Sequence, residues 1–295
     1  MEGVISAVPT PIDPDNQPDR DRFLEQARWA LDTGCDGLNV LGTTGEATSF
    51  DVAARSRIMA WAASGLPRER LMVGTGTPSL AETVRLTETA DDLGFGVALV
   101  LPPFYFKPLS DAGLTEWYLA LHRALGRRTI RIYFYNFPQM TGIVIPEAVI
   151  ATLHQRHPDR FAGIKDSSGD LDYCARLVAG MPALRVFPSS ETVLAGAHEA
   201  GFAGCISASV NLTAPLAGRM WREGEAGNPG LGTRIERLRG ALTGPTLIPA
   251  VKHLVAVRTG DAAWNRVLPP FTPLDAAGQS ALSPVAQELS AHWSA

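Results

Sequence analysis

FAGIKDSSGD, residues 161–170, joins an apolar run to a cluster of small polar residues and the start of a helix. The run does not alternate apolar and polar positions, as expected of a strand covered on both faces. Seven other runs share its composition: GVISAV (3–8), GLNVLG (37–42), LMVGTG (71–76), GVALVL (96–101), RIYFYN (131–136), LRVFPS (184–189) and GCISAS (204–209). Between them lie segments of helical period such as DRFLEQARWALDTG, DVAARSRIMAWAASG and SDAGLTEWYLALHRALG, several ending on a glycine suited to a helix C-terminus. Buried parallel strands need helices on their faces, and eight strand–helix units predict closure into an α/β (β/α)8 TIM barrel. A doubly wound open sheet is the alternative. After the eighth run, helical stretches near 231–242, 247–258 and 277–292 predict a C-terminal helical extension over 226–295, packed on a barrel domain over 1–225.

The composition favours small-molecule chemistry. The 295 residues are 45% hydrophobic and carry a net charge of -4, so no basic field is available for nucleic acid or an anionic membrane. No apolar run approaches the ~20 residues of a spanning helix. The N-terminal MEGVISAVPTPID has neither a basic nor a signal-like apolar region, so a cytoplasmic location is expected. Cys35, Cys174 and Cys205 are odd in number with no close pair, which reads as core cysteines rather than a disulfide framework or zinc knuckle.

Barrel chemistry gathers where strands end. The predicted strand ends carry Thr43-Thr44-Gly45-Glu46, Thr75-Gly76-Thr77, Phe104-Tyr105, Tyr135-Asn136, Lys165-Asp166-Ser167-Ser168, Ser189-Ser190-Glu191 and Ser207. Lys165 is the sole lysine among them. Clustered metal ligands are missing from these ends: the six histidines fall in helical segments, and His154 with His157 reads as a solvated helix face. No metalloprotease, P-loop or nucleophile-elbow motif occurs, and Gly74-Thr75-Gly76 lacks the third glycine of a dinucleotide turn. Burial disfavours the charged form of an amine and frees it as a nucleophile toward a ketone. Schiff-base chemistry also needs a nearby phenol or hydroxyl to carry protons, and Tyr135 ends the preceding strand. Singly, each residue has an ordinary explanation as solvated loop, packing or helix cap. Their concentration on one barrel face is what points to chemistry.

GTTGEATSF (42–50), YNFPQMTG (135–142) and GIKDSSGD (163–170), with VPTP at 8–11, resemble the dihydrodipicolinate synthase and N-acetylneuraminate lyase family of class I aldolases over roughly residues 4–250. The resemblance implies a (β/α)8 barrel with a helical extension, no metal or other cofactor, and a covalent Schiff base between Lys165 and pyruvate or another 2-oxo acid. Tyr135 would relay protons and Thr43 would hydrogen-bond it. Thr44, with the backbone N–H groups around it and Gly45, would hold the 2-oxo acid carboxylate. Tyr105 would enter a neighbouring subunit's relay, implying a homo-oligomer, dimer or tetramer. Ile206-Ser207 would lie near the pyruvyl group. Met140 stands where synthases of this family carry an arginine for the aldehyde's carboxylate, so dihydrodipicolinate synthesis is disfavoured. Ser189 and Glu191 would face substrate hydroxyls, with a helix-dipole role the alternative for Glu191. The expected activity is an aldolase or lyase acting on a 2-oxo-3-deoxy sugar acid or a 4-hydroxy-2-oxo acid, with pyruvate and an aldehyde as partners. The alternatives are a dehydratase working through the same Schiff base, a metal-dependent barrel lyase, and a non-catalytic 2-oxo-acid binder.

Overall fold

Each of the eight apolar runs forms a parallel strand. In the computed structural model, which describes residues 1–244 and 246–293, these are β1 (Gly3–Ala7), β2 (Gly37–Val40), β3 (Leu71–Gly74), β4 (Val97–Val100), β5 (Arg131–Asn136), β6 (Phe161–Asp166), β7 (Arg185–Pro188) and β8 (Gly204–Ser207). The order β7-β6-β5-β4-β3-β2-β1-β8 is a (β/α)8 barrel, nearly closed. Between β7 and β8 the Ala203 N–H donates to the Val186 carbonyl at 2.9 Å. At the β1–β8 join, Gly204 takes φ +127, and a Cβ there would fall 1.9 Å from the Gly3 carbonyl oxygen. Only glycine fits that approach.

Helices α1 (Arg20–Thr33), α2 (Val52–Gly65), α3 (Leu80–Asp92) and α4 (Asp111–Leu125) follow β1 to β4, α5 (Pro138–Thr141) and α6 (Glu147–Arg156) both follow β5, α7 (Leu171–Gly180) follows β6 and α8 (Val210–Gly227) follows β8, while β7 is followed by a short 3-10 helix (Glu191–Ala195) in place of the expected α-helix. Asp19, Asp51, Ser79, Ser110 and Asp170 each accept a first-turn N–H, so local capping chemistry fixes where α1, α2, α3, α4 and α7 begin. Inside the barrel, Ile5, Met72, Val97, Leu99, Tyr133, Phe187 and Ile206 pack together, while Val4, Val40, Val73, Phe134 and Ile164 face the helices. Both strand faces are therefore apolar, which is why the runs read as continuous.

The helix α8 breaks at Gly224 (φ 67, ψ 179). Beyond it come α9 (Leu231–Gly240), α10 (Leu247–Thr259), α11 (Ala276–Ala281) and α12 (Ser283–Trp293). Leu231, Ile235, Val251, Leu254 and Leu289 from these helices join the same apolar layer as the barrel helices. A fully buried ion pair, Lys252 of α10 with Glu46 after β2, ties the extension to the barrel's C-terminal face. Among the described residues no helix is long and apolar enough to cross a membrane.

Candidate active site

The register of β5 against β6 sets Tyr135 directly beside Lys165. Lys165 is 4% exposed, and its Nζ donates to Tyr135 Oη at 3.3 Å while lying 4.5 Å from the centre of the tyrosine ring. Tyr135 Oη in turn stands 3.0 Å from Thr43 Oγ1. An amine, a phenol and an alcohol thus form one chain of exchangeable protons. Among the described residues Lys165 forms no ion pair. Its neighbour Asp166 is committed elsewhere: it accepts from Asn136 Nδ2 (2.7 Å), Ser168 N–H (3.1 Å) and Ser168 Oγ (2.7 Å). Asp170 then caps α7 through the Tyr173 N–H. The polar letters of DSSGD therefore build the loop, and Lys165 is left to the barrel interior. Two residues earlier on the same strand, a Cβ on Gly163 would meet the Tyr133 ring at 2.8 Å, so glycine makes room for the aromatic floor.

Thr43 and Thr44 sit in a turn bracketed by two non-glycine residues in the left-handed region, Leu41 (φ 56) and Glu46 (φ 52). Such backbone costs about 1–3 kcal/mol per residue and persists only where its surroundings hold it. The holding contacts are plain. Glu46 pairs with Lys252 and accepts the Leu268 N–H at 2.6 Å, and Thr10 Oγ1 donates to the Gly45 carbonyl at 2.8 Å. Burial lowers the Lys252 pKa, and the Glu46 charge opposes that shift.

Two chambers meet at Thr43, Tyr135, Phe137, Met140 and Phe271. The larger, about 440 Å³, is lined by Lys165, Thr44, Ser167, Ser189 and Ile206. The smaller, about 220 Å³, has walls of Leu41, Leu99, Leu101 and Phe104, with Arg55 the cation among its lining residues. Among the described residues no three His, Cys, Asp or Glu side chains converge on a point that could hold a metal ion.

Of the residues singled out in the sequence, the structure gathers Lys165, Tyr135, Thr43, Thr44, Met140, Ser189 and Ile206 around these chambers. Gly45 lies outside both, with its N–H donating to the Gly42 carbonyl at 3.1 Å. Glu191 and Ser207 turn away from the pocket. The buried Glu191 carboxylate accepts hydrogen bonds from Ser207 (2.6 Å), Ser209 (2.8 Å) and Thr213 (2.9 Å), because a carboxylate without a cation needs several donors to be buried. It is not exposed to substrate hydroxyls, and it stands in the first turn of the short 3-10 helix Glu191–Ala195 and beside the start of α8. Tyr105 is 74% exposed, edge-on to Phe106 and outside both chambers. His154, expected on a solvated face, is buried, its Nδ1 2.7 Å from the Phe161 carbonyl oxygen. His157 and His198, expected within helices, lie just beyond the end of α6 and in a turn before β8.

The sequence reading missed Phe137, Phe271, Arg55 and the Glu46–Lys252 pair. Two signals were present. Arg55 falls on the face of α2 that carries Ile58, Met59 and Ala62, and Lys252 interrupts the apolar run LIPAVKHLVAV. A charged residue on an apolar helical face marks a buried partner or a cavity.

Comparison with known proteins places this geometry in a context. The model of the dihydrodipicolinate synthetase family matches residues 1–289. An uncharacterised DapA-like lyase of Chloroflexus aurantiacus is 37% identical over 216 residues, covering 73% of this chain and 72% of that protein. A 4-hydroxy-tetrahydrodipicolinate synthase of Methanothermobacter thermautotrophicus is 31% identical over 236 residues, covering 77% of this chain and 81% of its own. Among solved structures, dihydrodipicolinate synthase from Agrobacterium tumefaciens superposes with a TM-score of 0.88 at 28% identity, covering 98% of this chain and 99% of that one. YagE, a prophage protein of the dihydrodipicolinic acid synthase family from E. coli K12 in complex with pyruvate, superposes with a TM-score of 0.88 at 25% identity, covering 98% of each chain.

Proposed function

Because this chain belongs to the dihydrodipicolinate synthetase family and is a lyase of the class I aldolase family, we propose that it cleaves or forms a 2-oxo-3-deoxy sugar acid or a related 4-hydroxy-2-oxo acid, with pyruvate as one partner and an aldehyde as the other. The observation that carries this reading is the buried Lys165–Tyr135–Thr43 chain, with contacts of 3.3 and 3.0 Å, lining a cavity of about 440 Å³. The Lys165 amine adds to the C2 ketone, and Tyr135 gives a proton to the departing hydroxyl, so that water leaves and an iminium forms. In cleavage, Tyr135 takes the C4 hydroxyl proton as the C3–C4 bond breaks. The electron pair of that bond moves onto the iminium nitrogen to give an enamine, and the aldehyde leaves. Protonation at C3 and addition of water at C2 release pyruvate and the free amine. Thr43 holds the phenol in line and passes its proton on.

Thr44 and the turn around it are suited to the 2-oxo acid carboxylate, and Ile206 and Ser189 to the body of the substrate. No metal or other cofactor enters this scheme. Met140, 59% exposed, offers no charge-assisted contact where family synthases carry arginine, which supports a substrate other than aspartate semialdehyde. The same iminium can lose a C3 proton and then the C4 hydroxyl, so dehydration is the second reading, favoured by the same three groups. The exposed Tyr105 and Phe106, both 74% accessible, support a homo-oligomer in which Tyr105 reaches a neighbouring copy's pocket.

The test is reduction with borohydride in the presence of pyruvate, followed by peptide mass analysis. An adduct on Lys165 is expected, together with none on a folded Lys165→Ala protein. Turnover by Lys165→Ala would remove the Schiff-base mechanism.

A further inference from the structure

Among the described residues five border both chambers, Thr43, Tyr135, Phe137, Met140 and Phe271, and they mark the fork at which the pocket divides. Thr43 and Tyr135 belong to the proton relay, and Phe137 stacks on Tyr135 with ring centres 5.7 Å apart. Met140 lies mostly in solvent. Phe271 alone of the five comes from the C-terminal extension, where it follows two prolines that fix φ just before the ring. Its segment is fastened to the barrel. The buried Leu268 gives its N–H to Glu46 Oε2 at 2.6 Å, Ser49 Oγ donates to the Pro269 carbonyl at 3.4 Å, and the Phe271 N–H donates to the Leu268 carbonyl at 3.0 Å. Glu46 also ends the turn that carries Thr43 to Tyr135, so one carboxylate registers Phe271 against the relay.

In the proposed cleavage Tyr135 takes the C4 hydroxyl proton, so the substituent on C4 begins at this fork. One branch runs along the lysine chamber past Gln139, Ser167 and Ser189, which offer amide and hydroxyl groups. The other enters the smaller chamber between Leu41, Leu99, Leu101 and Phe104. The charged groups bordering that branch are already engaged: Arg55 donates to the Gly74 carbonyl at 2.9 Å, and Glu46 is held by Lys252 and the Leu268 N–H. A hydroxyl carried there would lose water with few partners to replace it, whereas a methylene would gain by leaving water. We propose that Phe271 is a specificity residue whose ring narrows the entrance to the smaller chamber, keeps the aldehyde substituent in the lysine chamber, and so selects short or hydroxylated substituents over long alkyl ones. This rests on the Schiff-base reading of Lys165. It deepens that reading by giving the choice between the two branches to the C-terminal extension rather than to the barrel loops.

The test follows pyruvate consumption by the full-length wild-type, Phe271→Leu and Phe271→Ala proteins with glyceraldehyde, butanal and octanal. Wild type should use octanal worse than butanal; an equal or better rate with octanal would overturn the proposal. Phe271→Ala should raise the octanal-to-butanal ratio of kcat/KM at least about tenfold, since each methylene newly buried is worth about fourfold and two are enough. Phe271→Leu should fall between, and the glyceraldehyde value should stay within about threefold of wild type. Trapping with pyruvate and borohydride separates the two possible failures. No adduct on wild type would remove the Schiff-base reading and this inference with it. Adducts on all three proteins with an unchanged octanal-to-butanal ratio would overturn the role of Phe271 alone. An equal loss for all three aldehydes would mean that the ring only supports the fold, and would overturn it as well. Should Phe271→Ala not fold, Phe271→Leu keeps the segment apolar and carries the same comparison, with a gain of about threefold or more expected.

Discussion

Replacing Lys252 with methionine leaves the Glu46 carboxylate alone in the core. Both side chains of the pair are fully buried, so solvent cannot screen the charge that remains. Losing one member of a buried pair costs about 3–5 kcal/mol, because the survivor keeps its desolvation penalty without its partner. Only the Leu268 N–H, 2.6 Å from Glu46 Oε2, would still offset it. At an unfolding entropy of roughly 2.1 cal/mol/K per residue over the 295-residue chain, Tm should fall by about 5–8 °C. The double variant Glu46→Gln/Lys252→Met removes both charges and should regain most of that loss. Calorimetry on the three proteins measures this directly. The same variants report on catalysis, since Glu46 in its left-handed conformation ends the turn that carries Thr43 to Tyr135. Lys252→Met should therefore trap pyruvate more slowly at temperatures where it remains folded. A single variant no less stable than the double, or a loss under about 1 kcal/mol, would refute the argument that charge compensation holds this turn.

Tyr135→Phe keeps the ring beneath the Lys165 amine and removes only the relay hydroxyl, so turnover should fall by about 10²–10⁴ in steady-state assays with the fold unchanged. Met140→Arg adds a guanidinium at the junction of the two chambers and should raise kcat/KM for acid-bearing aldehydes about tenfold or more relative to neutral ones. Away from the site, hydrogen bonds from Arg237 and Arg234 hold the Glu288 carboxyl below its ordinary value of 4.5. That contribution is complete above pH 4.5 and fades as pH drops through the lower folded value, so acid melting curves of wild type and Glu288→Gln should converge at low pH.

The strands were legible because strands buried on both faces are continuous apolar runs, and each lies within a residue or two of its expected limits. Lys165 and Tyr135 were legible for the opposite reason: each is a polar group that such a run has no structural use for. What stayed hidden depends on pairing over distance. Glu46 and Lys252 are 206 positions apart, and nothing local in TTGE names its partner. The orientation of Glu191 was equally unreadable, since it is fixed by hydroxyls on β8 and α8 that gather only when the barrel closes. His154 was misjudged because its partner is the Phe161 carbonyl at the base of the next strand. Arg55 shows the limit from the other side. Its helical face could be read, but the cavity beneath it belongs to β2, β3 and β4 together.

The ladder of the barrel is uneven around its circumference. β5 and β6, which carry Tyr135 and Lys165, are partnered at five positions, whereas β7 and β8 meet through the Ala203–Val186 hydrogen bond. The fully registered pair therefore coincides with the chemistry, and the sparsely bonded seam lies just beyond β7, a quarter of the way round the barrel. Ser189 and Ile206, on the two sides of that seam, both border the lysine chamber. Fewer ladder bonds make local opening cheaper at that seam than at the β5–β6 pair that holds the amine and phenol, so amide exchange should be faster along β7 and β8 than along β5 and β6. The part of the pocket wall with the fewest ladder bonds is thus separate from the pair of strands that aligns the proton relay.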